Sequence, residues 1–209
     1  MRKLIKKTSL FCGCIIVSLF ANAQEEESKK FKYRGYSGGM MVHTAYLYGG
    51  NINVGADDIK IEGVPFGIGG AMRFQFGNHF RIGAEGYSST LCYGDNSYLS
   101  LSWGGLLFDC PYKINNFTFF AGGTIGGGGV KNVTVTNTLV NSMKENALYQ
   151  KYSIMIADPF IGAEYAFTPR ISLTTKIDFV FNLSQKRPDF AMGPRIYLGF
   201  SFYHSKINK

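Results

Sequence analysis

The chain has 209 residues, 45% of them hydrophobic and only 17% charged, with 15% aromatic, a balance that excludes a disordered chain and is short enough for one domain. Its 26 glycines exceed the roughly 15 that an average usage of about 7% would give, which argues for a β protein over a helical one. The net charge of +8 does not argue for nucleic acid, because the basic excess is concentrated ahead of an apolar N-terminal run.

Arg2, Lys3, Lys6 and Lys7 precede the apolar stretch from Leu10 to Phe20 with no acid among them, and Ala21 and Ala23 occupy the −3 and −1 positions of a small-residue cleavage site. This is the pattern of a secretory signal peptide, so residues 1–23 are expected to be removed, 24–34 to form a periplasmic leader, 35–205 the domain proper and 206–209 a tail. Four of the 22 basic residues lie in that signal, which leaves 18 against 14 acidic ones. No basic run interleaved with aromatics follows Lys29, Lys30 and Lys32, so no nucleic-acid partner is expected.

Cys12 and Cys14 fall in the signal. Cys92 and Cys110 are expected to be free thiols, since a strand rising about 3.3 Å per residue would hold them at its opposite ends. The longest uncharged stretch, Ile114 to Val130, contains six glycines and does not read as a spanning helix. Any membrane crossing would therefore be made by a closed barrel.

From Tyr36 onward the apolar residues recur with period 2. The first strand, Tyr36 to Tyr48, puts Met40, Val42, Tyr46 and Tyr48 on one face and Met41, His43 and Ala45 behind, and a long loop, Gly49 to Val64, follows. Phe66, Ile68, Gly70, Met72, Phe74 and Phe76 then oppose Gly67, Gly69, Ala71, Arg73 and Gln75, and after a tight turn at Gly77 to His79 the return strand puts Phe80, Ile82 and Ala84 outside and Arg81, Gly83, Glu85 and Tyr87 inside. With Phe76 opposite Phe80, Ala71 opposes Glu85.

A loop at Leu91 to Ser97 leads into a strand from Tyr98 to Phe108, read with Leu99, Leu101, Trp103 and Leu107 outward and Ser100, Ser102 and Gly104 inward. Asn115 and Asn116 turn the chain into Phe117, Phe119, Ala121, Gly123 and Ile125, and Gly127 to Lys151 reads as a long insertion. Ile161 to Phe167, a turn at Thr168 and Pro169, Ile171 to Phe181, a loop at Asn182 to Met192 and Ile196 to Phe202 complete eight strands. Short links fall at one end and long ones at the other, and charge falls on the glycine-rich face, so an antiparallel up-and-down transmembrane β-barrel with a polar interior is expected.

On this pattern, the signal sequence and the closing Leu198-Gly199-Phe200-Ser201-Phe202 strand, the mature chain resembles the small eight-stranded outer-membrane barrels of Gram-negative bacteria, the OmpA-barrel and OmpX-like group. The resemblance implies the outer membrane, contact with its lipid, recognition by the barrel insertion machinery and both termini in the periplasm. Members of that group often end in an aromatic residue, whereas this chain continues from Tyr203 to Lys209.

The inward charges Arg73, Glu85, Glu164, Lys176, Asp178 and Arg195 form a balanced set, with Arg73 near Glu85, Glu164 near Lys176 and Asp178 near Arg195. An eight-stranded barrel is just wide enough for side chains to fill it, so these are read as a structural polar plug and not a conduction path. Glycines 67, 69, 83, 104, 122, 126, 162 and 199 are expected on the same interior face to make room for them.

No catalytic, cofactor or metal site is expected. Of the three histidines only mid-strand His43 has acids within plausible reach, Glu85 or Asp178, and no serine is placed beside it. Gly122 to Gly129 lacks the Lys-Ser/Thr of a phosphate loop, and no His, Cys, Asp and Glu spacing resembles a ligand set. Aromatic girdles are expected from Tyr46, Tyr48, Phe66, Phe179 and Phe181 at one interface and Phe76, Phe80, Phe117, Phe167 and Phe202 at the other. Val133, Val135, Asn137, Lys144 and Tyr149 mark a possible surface-interaction site for an extracellular ligand or protein, where an extended strand would expose an edge. The function expected is a structural or surface-interaction barrel. A lipid-modifying barrel enzyme and a soluble periplasmic ligand-binding barrel are the alternatives.

Overall fold

The computed structural model describes residues 32–54, 57–93, 97–136, 146–184 and 187–205. The signal segment, Cys12, Cys14, Asn137 and Lys144 lie outside the described residues. The described residues from Arg34 onward form one compact unit.

Eight long strands form a closed antiparallel ring. They are β1 (Tyr33–Ala45), β4 (Phe66–Phe76), β5 (Phe80–Tyr93), β6 (Ser97–Ile114), β7 (Phe117–Thr136), β8 (Asn146–Ala166), β9 (Ile171–Phe179) and β11 (Pro194–Ser205), with β2 (Leu47–Val54) and β3 (Asp57–Gly63) inserted after the first and the short β10 (Phe181–Asn182) continuing β9. Each long strand neighbours the next in sequence, and β1 closes the ring against β11. The expected eight-stranded up-and-down barrel is what the chain forms. Two of its tight turns depend on left-handed backbone, at Gly77 (φ 58) and Asn115 (φ 54), conformations open to Gly and tolerated by Asn.

The hairpin β4–β5 keeps the expected register, with Phe76 opposite Phe80 and Ala71 opposite Glu85. Around the ring, large apolar side chains point outward, among them Met40, Phe66, Ile68, Leu106, Ile125, Met155, Ile161, Leu198 and Phe200, each at least half exposed. Such a continuous apolar exterior on a closed barrel is suited to lipid contact. Near the short turns Phe117, Phe119, Tyr165 and Phe167 form a chain of ring contacts, and Tyr46 with Tyr48 and Phe179 with Phe181 do so near the long connections.

Three expectations are corrected. In β6 the faces are reversed: Leu99, Leu101, Trp103 and Leu107 are buried in the lumen, while Ser102, Leu106 and Phe108 face out. Gly104 consequently lies on the outward face and does not share the interior with the other seven glycines. The cause is that this strand is apolar on both faces along part of its length, so hydrophobicity alone does not fix its phase. Second, the stretch read as a loop from Gly49 to Val64 is mostly the β2–β3 hairpin. Its Leu47, Ile52 and Ile61 are buried with Leu91, Phe190 and Ala191, and Asn51 N donates to Pro188 O at 2.7 Å. Third, the Gly127–Lys151 insertion is largely strand, with β7 and β8 paired as far as Thr136 opposite Asn146. Within its glycine run Gly126 meets β6 closely, a Cβ there falling 2.1 Å from Gly104 O.

Candidate functional site

The lumen is built in storeys. Nearest the short turns, Arg73 of β4 and Arg81 of β5 both reach Asp109 of β6, Arg73 Nε donating to Oδ2 at 2.9 Å and Arg81 Nε to Oδ1 at 2.5 Å. Arg81 Nη1 also donates to both Glu164 oxygens at 3.0 Å, and the Tyr203 hydroxyl donates to Glu164 as well. Both guanidinium groups also lie over the Phe120 ring, Arg73 at 5.3 Å and Arg81 at 5.1 Å from its centroid. All of these charged side chains are buried, so one carboxylate neutralises two cations and a second completes the chain.

One storey higher, Lys176 Nζ lies 3.1 Å from Glu85 Oε2, 3.1 Å from Asp178 Oδ2 and 3.8 Å from Asp158 Oδ2. Thr124 Oγ1 donates to Glu85 Oε1 at 2.6 Å. The same ammonium sits over the rings of Tyr197, Tyr87 and Phe160 at 4.3, 4.7 and 4.9 Å, a desolvated cation held by carboxylates and aromatic faces together. Arg195 lies opposite Asp178 in the β9–β11 register, with its guanidinium 4.9 Å above Trp103. His43 is ringed by Tyr197, Trp103 and Tyr87 at 4.8, 5.3 and 5.6 Å. Neither of its nitrogens has a hydrogen-bond partner, so no carboxylate orients it as a base. A Cβ at Gly67 would lie 2.2 Å from that imidazole, which is why a glycine faces it.

Toward the long connections the interior turns aliphatic, with Leu91, Leu99, Leu101, Val130, Ile154, Ile156 and Val180 buried alongside Leu47 and Ile61 of the inserted hairpin. Polar side chains are interspersed there, the Tyr93 hydroxyl pairing with Asn132 and Thr134.

All six charges selected from the sequence point inward and are buried, but they choose different partners. Arg73 turns to Asp109 and Glu164 to Arg81, while Lys176 joins Glu85 to Asp178. Sequence reasoning missed Arg81, Asp109 and Asp158. Arg81 was already on the inward face of its hairpin and only needed counting. Asp109 was hidden by ending β6 at Phe108 with its faces reversed, although it shares the parity of Leu107. Asp158 was lost by starting β8 at Ile161. The described barrel strands thus bury four cations, Arg73, Arg81, Lys176 and Arg195, against five carboxylates, Glu85, Asp109, Asp158, Glu164 and Asp178, with Asp189 buried in the chain before β11, and this is not the balanced set of six.

The second site lies at the long-connection end. Here β8 outruns its neighbour on one side: β7 pairs with it up to Asn146, but β10 reaches only Ile156. Met155 N donates to Ser184 Oγ at 2.7 Å and its carbonyl accepts from Leu183 N at 2.8 Å, so the polar backbone groups of Met155 point away from β7. Alternation along the strand aims those of Ala147, Tyr149, Lys151 and Ser153 the same way, and no described residue pairs with them. Val133 and Val135, singled out from sequence, sit in β7 opposite Tyr149 and Ala147. Exposed Lys131 and Lys151 face each other directly across β7 and β8.

A cavity of about 180 Å³ opens where β8 and the chain after β10 part, lined by Tyr152, Ser153, Ile154, Ser184 and Arg187. The Arg187 guanidinium lies 5.1 Å over the Tyr152 ring. Burial and the nearby Asp189 carboxylate hold the Tyr152 phenol well above its ordinary pKa. Cys92 and Cys110 are both free and exposed.

No protein-family model matches the chain, and no curated protein matches it. Solved structures do. The outer membrane protein OprG from Pseudomonas aeruginosa superposes with a TM-score of 0.53 at 9% identity, over 84% of this chain and 98% of that one. Ail, the attachment invasion locus protein of Yersinia pestis, solved in complex with the heparin analogue sucrose octasulfate, gives 0.52 at 13% identity over 81% and 99%. Neisserial surface protein A gives 0.52 at 9% identity over 80% and 94%. With its closed ring, apolar exterior and side-chain-filled lumen, the chain has the fold of the small eight-stranded outer-membrane β-barrels.

Proposed function

We propose that the protein is a non-conducting outer-membrane barrel, with both termini on the periplasmic side, that acts by presenting the extended β7–β8 hairpin to a partner outside the cell. The observation that supports the reading is the β8 edge from Ala147 to Ser153, which no strand pairs among the described residues, held above a barrel whose interior is already filled. A row of unsatisfied backbone donors and acceptors is a template for an added strand. The six buried charges picked out from the sequence serve, with Arg81, Asp109 and Asp158, to hold the eight strands in one register.

The test begins with membrane fractionation, the outer-membrane fraction being run on a gel with and without boiling. A heat-dependent mobility shift is expected, and a detergent-free soluble protein without a shift would reject the membrane reading. Planar-bilayer recordings of the folded protein are expected to show no steady conductance. Deleting Asn137–Asn146 is expected to leave the shift intact, while Lys151→Pro, which removes a donor from the β8 edge, is expected to weaken partner capture without changing the shift. Lipid A from cells with and without the protein is expected to carry the same acyl pattern, and a changed pattern would support the enzyme alternative instead.

A further inference from the structure

The two flanks of the free β8 edge are lined differently, and from them we infer that the edge accepts an extended segment whose side chains alternate acidic and apolar. This rests on the strand-addition reading above. A strand added to an edge places successive side chains on opposite faces of the sheet. On the outward face its neighbours are Tyr149 and Lys151, with Lys131 across the ladder, and no outward-facing described residue of β7 or β8 is acidic. Like charges set directly opposite one another repel, so an acidic neighbour relieves the Lys131–Lys151 pair. On the inner face the segment meets half-buried Leu148 and Tyr152, which pack against the barrel core, half-buried Gln150 between them, and buried Ile154. Apolar side chains are matched there at every position but the one beside Gln150. The cavity beside Arg187 gives room to the residue at the lower end of the segment.

A second copy of this chain is a poor occupant. In one membrane β8 runs from the long connections toward the short turns in every copy, and strands tilted by about 35–45° cross when related by a two-fold axis along the membrane normal. An antiparallel partner must come from a chain not anchored beside it in that way.

The test titrates the full protein, in zwitterionic nanodiscs, with an alternating Glu–Val peptide long enough to span Ala147–Ser153. An alternating Lys–Val peptide and a fully N-methylated Glu–Val peptide, which keeps the charges and removes the donors, are run beside it by fluorescence anisotropy. Glu–Val is expected to bind at least about tenfold more tightly than Lys–Val at about 50 mM salt, the ratio shrinking as salt rises. N-methylation is expected to abolish binding. The double variant K131E/K151E is expected to reverse the preference. Lys151→Pro, which removes a donor from the free edge and none from the β7 ladder, is expected to weaken both peptides while leaving the gel shift unchanged.

Equal binding of the two peptides, or a preference for Lys–Val, with sensitivity to N-methylation retained, would overturn the acidic pattern alone. Binding indifferent to both N-methylation and Lys151→Pro would mean charge attraction without strand addition and would overturn the inference. Failure of every peptide would overturn the strand-addition reading beneath it.

Discussion

The two ends of the lumen solve one packing problem with opposite chemistry. Toward the short turns the interior is filled by Arg73, Arg81, Asp109 and Glu164, whose ion pairs tie β4, β5, β6 and β8 together at 2.5 to 3.0 Å. Toward the long connections it is filled by Leu91, Leu99, Leu101, Val130 and Ile154, with no charge spent on register. Paired charges fix which strand faces which, because a slip leaves a buried ion alone. Aliphatic packing resists voids but tolerates exchange of shape. The contrast teaches that a barrel of this fold need not be charged throughout its interior, and that one half specifies register while the other is packed largely with aliphatic side chains.

Substitutions separate those two roles. The largest effect is expected from Asp109→Ala, which leaves Arg73 and Arg81 sharing no carboxylate and should cost about 3–5 kcal/mol, read as a lowered guanidinium midpoint for the barrel refolded in lipid. Arg73→Met together with Arg81→Met and Asp109→Leu should recover much of that loss, and no recovery would mean that the ions do more than neutralise one another. In the aliphatic half, Leu101→Ala should cost about 2–5 kcal/mol by opening a cavity, whereas Leu101→Met should cost under about 1.5 kcal/mol in the same denaturation experiment. The outward face gives a smaller, depth-dependent effect. Leu106→Arg, in the middle of the apolar belt, should cost about 2–4 kcal/mol, while Ser102→Lys, nearer the long connections, should cost at most about 1 kcal/mol. If Leu106→Arg were harmless, the assigned faces of β6 would be wrong.

That same strand shows how far the sequence can be read. In β4–β5 the alternation is unambiguous, because Arg73, Arg81 and Glu85 mark one face and Met72, Phe74, Ile82 and Ala84 the other, and the register follows from the turn at Gly77. In β6 both faces carry apolar residues, Leu101, Trp103 and Leu107 on one and Leu106 and Phe108 on the other, so the rule that apolar residues meet lipid has no purchase. Asp109, one step past the assigned end, was the phase marker. The charged residues could be placed on the inner face, but their partners could not, since Arg81 and Glu164 meet across the lumen from strands that are not neighbours. The β2–β3 hairpin was missed because its buried Leu47, Ile52 and Ile61 are spread through polar sequence. The free β8 edge was legible only as an extension of the strand, because its exposure depends on where β10 stops.

The antiparallel match of β1 with β11, from Gly35 opposite Ser205 to Ala45 opposite Arg195, joins the first strand of the barrel to the last. Every other seam of the ring joins strands that follow one another closely along the chain. The ring therefore has one closure that is entirely non-local, and loop-closure entropy makes such a contact slow to form. Until Ser205 has been delivered, β1 keeps an open edge and the lumen charges of β11 and β9 lack their complete surroundings. Assembly thus carries a natural checkpoint: a chain truncated before β11 leaves a sheet with two live edges, a substrate for aggregation or proteolysis instead of a smaller barrel.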